Sequence, residues 1–222
     1  MPKSHTPNTL TLGHHLNPEE AALLRGLDSP ARIQAFLDET PYSPEDRNRC
    51  PLNVLRDRQA HYLDGALFAA AALERLGYSP RLVDLFPEPG MDDDHVLAIF
   101  KREGRFGAVA KSNFTGLRYR EPVYRGLREL VMSYFEDYFN VNGVKTLRYA
   151  TRPLSLAALK VHGWEWSDQG ADAVEKRLQA LPRIPLLSPD AAAQLSPVDP
   201  PSYRAGMLTV NPAGLYQPKD RE

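Results

Sequence analysis

Two short stretches of this chain gather side chains that could do chemistry: His61-Tyr62-Leu63-Asp64, and Asp92-Asp93-Asp94-His95. On a helix, His61 and Asp64 lie one turn apart on the same side. If that helix began where a strand carrying His95 begins, the three would make a His/Asp/His set able to hold a borderline cation. A His–Asp pair at this spacing also satisfies the orphan N–H groups of a helix start, and that role is the one expected, with no metal and no cofactor. The aspartate run reads as a solvated turn opening the strand, as carboxylates tuning His95, or as oxygen ligands for a hard cation. Downstream, Lys111, Ser112 and Arg118 are expected in exposed loops that could bind an anionic or carboxylate group. The competing reading pairs the arginines with Glu121 or with the acidic run. Cys50 is the sole cysteine, which excludes an internal disulfide and a cysteine-based zinc cluster. It is expected to be a buried structural thiol.

These residues need elements to position them. Asn17-Pro18-Glu19-Glu20 predicts a capped helix start, with Leu23, Leu24 and Leu27 as its apolar face. A second helix is expected from Pro30 to Leu37, and a proline- and charge-rich connector from Glu39 to Pro51. The clearest expectation is one long helix from about Val54 to Leu76, with Leu63, Leu67, Ala70 and Leu73 at spacings of three and four, ended by Gly77. Three apolar runs follow, Arg81 to Phe86, His95 to Lys101 and Phe106 to Ala110, and they read as antiparallel strands. The last two are joined through a Glu103-Gly104 turn. A helix is expected from Glu121 to about Phe139, then a strand over Lys145 to Tyr149. Leu154 to Leu159 could be either type. A short helix should cover Ala171 to Leu181. Eight of the twenty prolines fall between Pro182 and Pro218, so that tail is expected to lack regular structure, wrapping the domain or staying mobile.

The order HYLDGALFAAAALERL, DDDHVLAIF, GRFGAVAKSNF, LRYREPVYR resembles the transglutaminase-like superfamily, over roughly residues 50 to 150. Within it, the pattern is similar to a group of uncharacterised bacterial proteins that read HC-x-[ED]-GA at the helix start. The resemblance implies a papain-like α+β fold, in which a long site helix packs on a small antiparallel sheet. It implies acyl-transfer or hydrolase chemistry by a cysteine, a histidine and a third polar residue. In this chain Tyr62 stands in the cysteine slot and His95 in the histidine slot. The third slot falls near Ala110; Asn113 is the better nearby substitute, because its amide oxygen can accept an imidazole N–H. A phenol titrates near 10 against about 8.5 for a thiol, so Tyr62 is no conservative replacement. The implied protein is an inactive or non-classical member that binds a small molecule or a partner in the old cleft, with His61, Asp64, Lys111, Ser112 and Arg118 as binding residues. The alternative is amide or acyl chemistry run by His95 with Tyr62 or a metal.

The chain of 222 residues carries a formal net charge of -1, which gives no nucleic-acid footprint. No apolar run approaches the roughly 18 residues of a membrane span, and residues 1–15 have no apolar segment of a secretory signal. A cytoplasmic protein is therefore expected. Its organisation is expected to be a flexible arm over 1–16, a transglutaminase-like domain over 17–165 that begins with a helical extension, and a short helix with a proline-rich tail over 166–222.

Overall fold

The computed structural model describes residues 11–218. Helix α1 (Pro18–Gly26) starts as its sequence dictates. Asn17 Oδ1 accepts the Glu20 N–H, and Glu20 accepts the Asn17 N–H, each at 2.8 Å. Ser29 caps α2 (Pro30–Glu39). The long helix expected from Val54 is instead two helices, α3 (Pro51–Asp57) and α4 (Tyr62–Arg75). The break is local chemistry: Arg58 takes the left-handed conformation at φ 54°, and His61 with Asp64 forms a fresh capping box. Residues Leu63 to Leu73 of α4 are buried on every side. The alanines at 69–72 let neighbouring elements approach closely.

The strands are β1 (Arg81–Pro87), β2 (His95–Arg102), β3 (Arg105–Val109), β4 (Arg120–Tyr124), β5 (Leu147–Ala150), β6 (Leu154–Ser155) and β7 (Ile184–Pro185). They form one antiparallel sheet in the order β4-β3-β2-β1-β5-β7, with β6 beside β1. The fold is therefore mixed α+β with an antiparallel sheet. The β2–β3 hairpin turns through Glu103 (φ 51°) and Gly104 (φ 76°), both left-handed, as a two-residue hairpin requires. Strand alternation then assigns the faces. Leu82, Val96, Ala98, Phe100 and Val109 pack toward α4, whereas Val83, Leu85, Leu97, Ile99 and Ala108 pack on the opposite side with Leu130, Tyr134 and Tyr138.

Other expectations needed correction. The helix expected over 121–139 is strand β4, then a short α5 (Leu127–Met132) and a series of turns. Pairing with β3 overrides the apolar spacing, and Pro122 is tolerated because β4 is an edge strand. Val123, whose spacing with Leu127 and Leu130 would put it on the apolar face of such a helix, is 62% exposed. After β6 comes a 3-10 turn over Ala157–His162, then α6 (Asp168–Gln179). The tail is not without regular structure. Ser188, Asp199 and Asn211, each followed by proline, cap α7 (Pro189–Ala193), α8 (Pro200–Gly206) and a 3-10 turn over Pro212–Gly214. Of the expected arm over 1–16, residues 1–10 lie outside the described residues. The remainder is packed: the Leu12 N–H donates to Glu165, and His15 stacks on Trp166 with centroids 4.7 Å apart. Val174 and Leu178 of α6 join the same core as α4, so packing continues across residue 165. Among the described residues, no helix is long and apolar enough to cross a membrane.

One close approach controls how α4 sits on the loop after β3. A Cβ on Gly65 would lie 2.1 Å from Lys111 Cβ. Gly65→Ala should therefore cost about 1–3 kcal/mol from overpacking, outweighing the gain of up to about 1 kcal/mol in helix propensity. Urea unfolding should show a lower midpoint at unchanged slope. An unchanged or higher midpoint would refute the contact.

Candidate functional site

Both ring nitrogens of His61 are occupied at the α4 start. Nδ1 accepts the Leu63 N–H at 3.1 Å, which places the proton on Nε2, where it faces the Arg47 carbonyl at 3.1 Å and Asp64 Oδ1 at 3.2 Å. Asp64, fully buried, accepts the His61 N–H at 3.1 Å and the Arg49 N–H at 2.6 Å. Burial lowers the His61 pKa to about 4 and raises Asp64 to about 7. The pair is thus a neutral-leaning structural cap whose lone pairs are already engaged. Among the described residues, no three His, Cys, Asp or Glu side chains converge as metal ligands.

Tyr62, the first residue of α4, and His95, the first of β2, line one small cavity of about 40 Å³ with Tyr42, Asp93, Ser112 and Asn113. They reach it differently. His95 is paired with Leu85 and belongs to the face away from α4, its ring edge-on to Tyr134 at 6.2 Å and Tyr138 at 6.4 Å. Its Nε2 is buried without a hydrogen-bond partner, and burial lowers its pKa to about 4. The Tyr62 phenol is pushed above its ordinary value by burial and then by Asp93 and Asp94. Tyr42, from the connector, is raised by burial and by Asp93, and its hydroxyl faces the Tyr62 backbone N–H.

Tyr42, Tyr62, Asp93, Gly214 and Tyr216 also line an outer cleft of about 260 Å³, walled further by Asp46 and Glu175. Among the described residues, no Lys or Arg lines either space. Burial raises Asp92 and Asp93 to about 6; Asp92 is tied to Thr146 Oγ1 at 2.9 Å. Of the alternatives for the aspartate run, the structure shows carboxylates beside the cavity, Asp93 exposed and Asp92 and Asp94 partly buried.

Of the residues expected to bind an anion, Lys111 and Arg118 do not face the cleft. Lys111 is buried, and its ammonium donates to the Leu37 carbonyl at 2.8 Å and to the Thr40 carbonyl, closing the C-terminus of α2. Arg118 donates to Thr209 Oγ1 at 2.7 Å and pairs with Asp38 at 3.4 Å. Ser112 lines the cavity, its Oγ accepting the Phe114 N–H at 3.0 Å. Asn113 does not orient His95: its amide is committed to Asn211 and Gly214 of the tail. Cys50 caps α3 outside the cleft, its N–H on Asp168 Oδ1 at 2.9 Å, and burial pushes its thiol up to about 12. Tyr42, Asp46 and Tyr216 are cleft residues that sequence reasoning missed. The Asn211-Pro212 cap was the one available signal that the tail returns in an ordered turn. No protein-family model and no curated protein matches this chain.

His95 makes a pH prediction. Its folded pKa, about 4, lies below the reference 6.5, so between these values the unfolded chain binds more protons. The stability linked to it is complete above about pH 6.5 and is lost as pH falls toward 4. Asp64, Asp92 and Asp93, raised in the fold, work the other way as pH climbs from about 4 to 7. The clean observable is therefore a difference. Relative to wild type, His95→Phe should gain about 2 kcal/mol between pH 7 and pH 4.5 in urea unfolding. Equal pH dependence of the two chains would show that His95 titrates normally.

Proposed function

We propose that this chain is a papain-like, transglutaminase-like protein that has no thiol nucleophile and binds a small molecule or partner in the former active-site cleft. The observation carrying the reading is the shared cavity: the start of a buried helix and the start of a central antiparallel strand bring Tyr62 and His95 to one space. That is where a helix-borne thiol and a strand-borne imidazole would have to meet. The cleft itself contains no cysteine, and Cys50 is held in reserve nowhere near a reactive state, its thiol raised by burial. Amide or acyl chemistry by His95 with Tyr62 has less support. A phenol raised above its usual value is a poor nucleophile, and no side-chain orienter reaches the imidazole from Asn113. A cytoplasmic site of action accords with this reading.

The carboxylate walls give the cleft a preference. Cationic or neutral polar ligands are favoured over anions, because among the described residues no basic side chain lines the cleft beside Asp46, Asp93 and Glu175. At a hundredfold excess over Kd, a ligand stabilises by about 2.7 kcal/mol. A melt screen of small organic cations and carboxylates should therefore show stabilisation by cations alone, abolished by Asp93→Asn. Stabilisation by carboxylates, or by neither class, would sink the binding assignment.

The missing thiol makes a second prediction. The burial and aspartates that raise Tyr62 should hold a thiol introduced by Tyr62→Cys above the ordinary 8.5 in a pH–alkylation profile. A midpoint below about 7 would mean that thiol activation survives, and would return the enzyme reading to first place.

A further inference from the structure

The tail crosses the mouth of the cleft, and the manner of its attachment is specific. It arrives from α8, docked by Thr115, whose Oγ1 donates to the Ala205 carbonyl at 2.7 Å and whose N–H donates to the Gly206 carbonyl at 3.1 Å. A Cβ on Gly206 would lie 2.4 Å from the Phe139 ring, so this docking depends on a bare backbone. Beyond it, Asn113 takes hold. Only 4% exposed, it accepts the Asn211 N–H on Oδ1 at 2.7 Å and donates from Nδ2 to the Asn211 carbonyl at 3.0 Å and the Gly214 carbonyl at 3.1 Å. One buried amide thus reads both backbone groups of one tail residue. Asn211 answers with Nδ2 to the Tyr42 carbonyl at 3.1 Å. A Cβ on Gly214 would sit 2.8 Å from the Tyr42 ring, so the chain here lies flat on the cleft wall. Gly214 and Tyr216 line both the inner cavity and the outer cleft.

These contacts are those of a receptor with a peptide. The groups engaged are main-chain N–H and C=O, read by a side-chain amide from the body of the domain. With the segment in place, the space between Tyr62 and His95 has room for only a few waters, at roughly 10–15 Å³ per water. We infer that the cleft is a receptor for a short peptide segment folded in a capped 3-10 turn, occupied in cis by residues 211–216, and that this strap gates the cavity between Tyr62 and His95. The inference rests on the cleft reading above for its location. Asn113 is the positioning residue of the strap, and a peptide in trans that presents the same backbone must displace it.

The test uses the full-length chain carrying Tyr62→Cys, with iodoacetamide alkylation at position 62 followed by mass spectrometry. Adding Asn211→Ala should raise the alkylation rate at saturating pH at least tenfold. A synthetic peptide of residues 209–218 should reverse that rise saturably, and its reversed sequence should not. An unchanged rate, or a rise that the peptide cannot reverse, would overturn the strap. Should Asn211→Ala fail to fold, a protease site inserted after Val210 and cut after folding gives the same readout. The midpoint of the pH profile reports the thiol's surroundings, whereas the limiting rate reports access. The cleft assignment and the strap can therefore fail separately.

Discussion

The arrangement of the site depends on one buried carboxylate. Asp64 has no contact with solvent, yet it receives the N–H groups of His61 and Arg49 and lies 3.8 Å from the Arg49 guanidinium. Those two N–H groups belong to separate pieces of chain, the start of α4 and the approach to α3. One side chain therefore ends the connector and begins the site helix at the same point. Leaving either N–H unpaired in so dry a place would cost about 1–3 kcal/mol. Burial still wins over these favourable contacts in setting the Asp64 pKa, which rises rather than falls. The Arg49 guanidinium carries the remaining load: its Nη2 reaches Glu45 at 2.5 Å and its Nε reaches Asp57 at 3.1 Å. With the junction pinned, the backbone of Tyr62 is fixed at the start of α4.

The second constraint is the sheet, whose two faces build separate cores. Tyr62 belongs to the α4 side and His95 to the other. They share a cavity because each is the first residue of its element, so both lie where the sheet ends, His95 buried against Tyr134 and Tyr138 and Tyr62 partly buried on the α4 side. The same edge explains the carboxylates. Asp92, Asp93 and Asp94 fill the step into β2, where Tyr138 donates its hydroxyl to the Asp93 carbonyl at 2.7 Å and Thr146 donates its hydroxyl to the Asp92 carboxylate at 2.9 Å. The result is a polar, electronegative notch between two apolar layers.

Much of the framework was legible because it is written in local chemistry. The Asn17 box, the Ser29 and Gly77 boundaries, the three apolar runs and the Glu103-Gly104 turn all act within a few residues, and all appear where expected. The failures share a cause. Nothing local says that Val123 faces solvent; β4 exists because β3 has an open edge. The split of α3 from α4 was partly visible, since His61 and Asp64 were read as a helix-start pair. The left-handed turn at Arg58 that separates the two helices has no such signal in the apolar spacing, which runs from Leu63 to Leu73.

Why the candidate site was only half legible follows from the same distinction. Tyr62, His95 and Ser112 sit at element starts or in a loop beside a strand, so the elements carry them to the cavity. Their immediate neighbours are Lys111 and Asn113, and a loop position alone predicts exposure for both. The structure instead turns both inward, to partners 71 to 101 residues away in sequence. Such pairings have no periodicity or spacing to reveal them. What could have been read is the tail's punctuation: Ser188-Pro189, Asp199-Pro200 and Asn211-Pro212 each combine a capping side chain with a proline preset for the first helical turn. Proline content suggested a tail without structure, but proline after a cap residue starts one. That reading would have ordered the tail without saying where it lands. Its landing place is set by Asn113, the residue whose amide the sequence had assigned to His95.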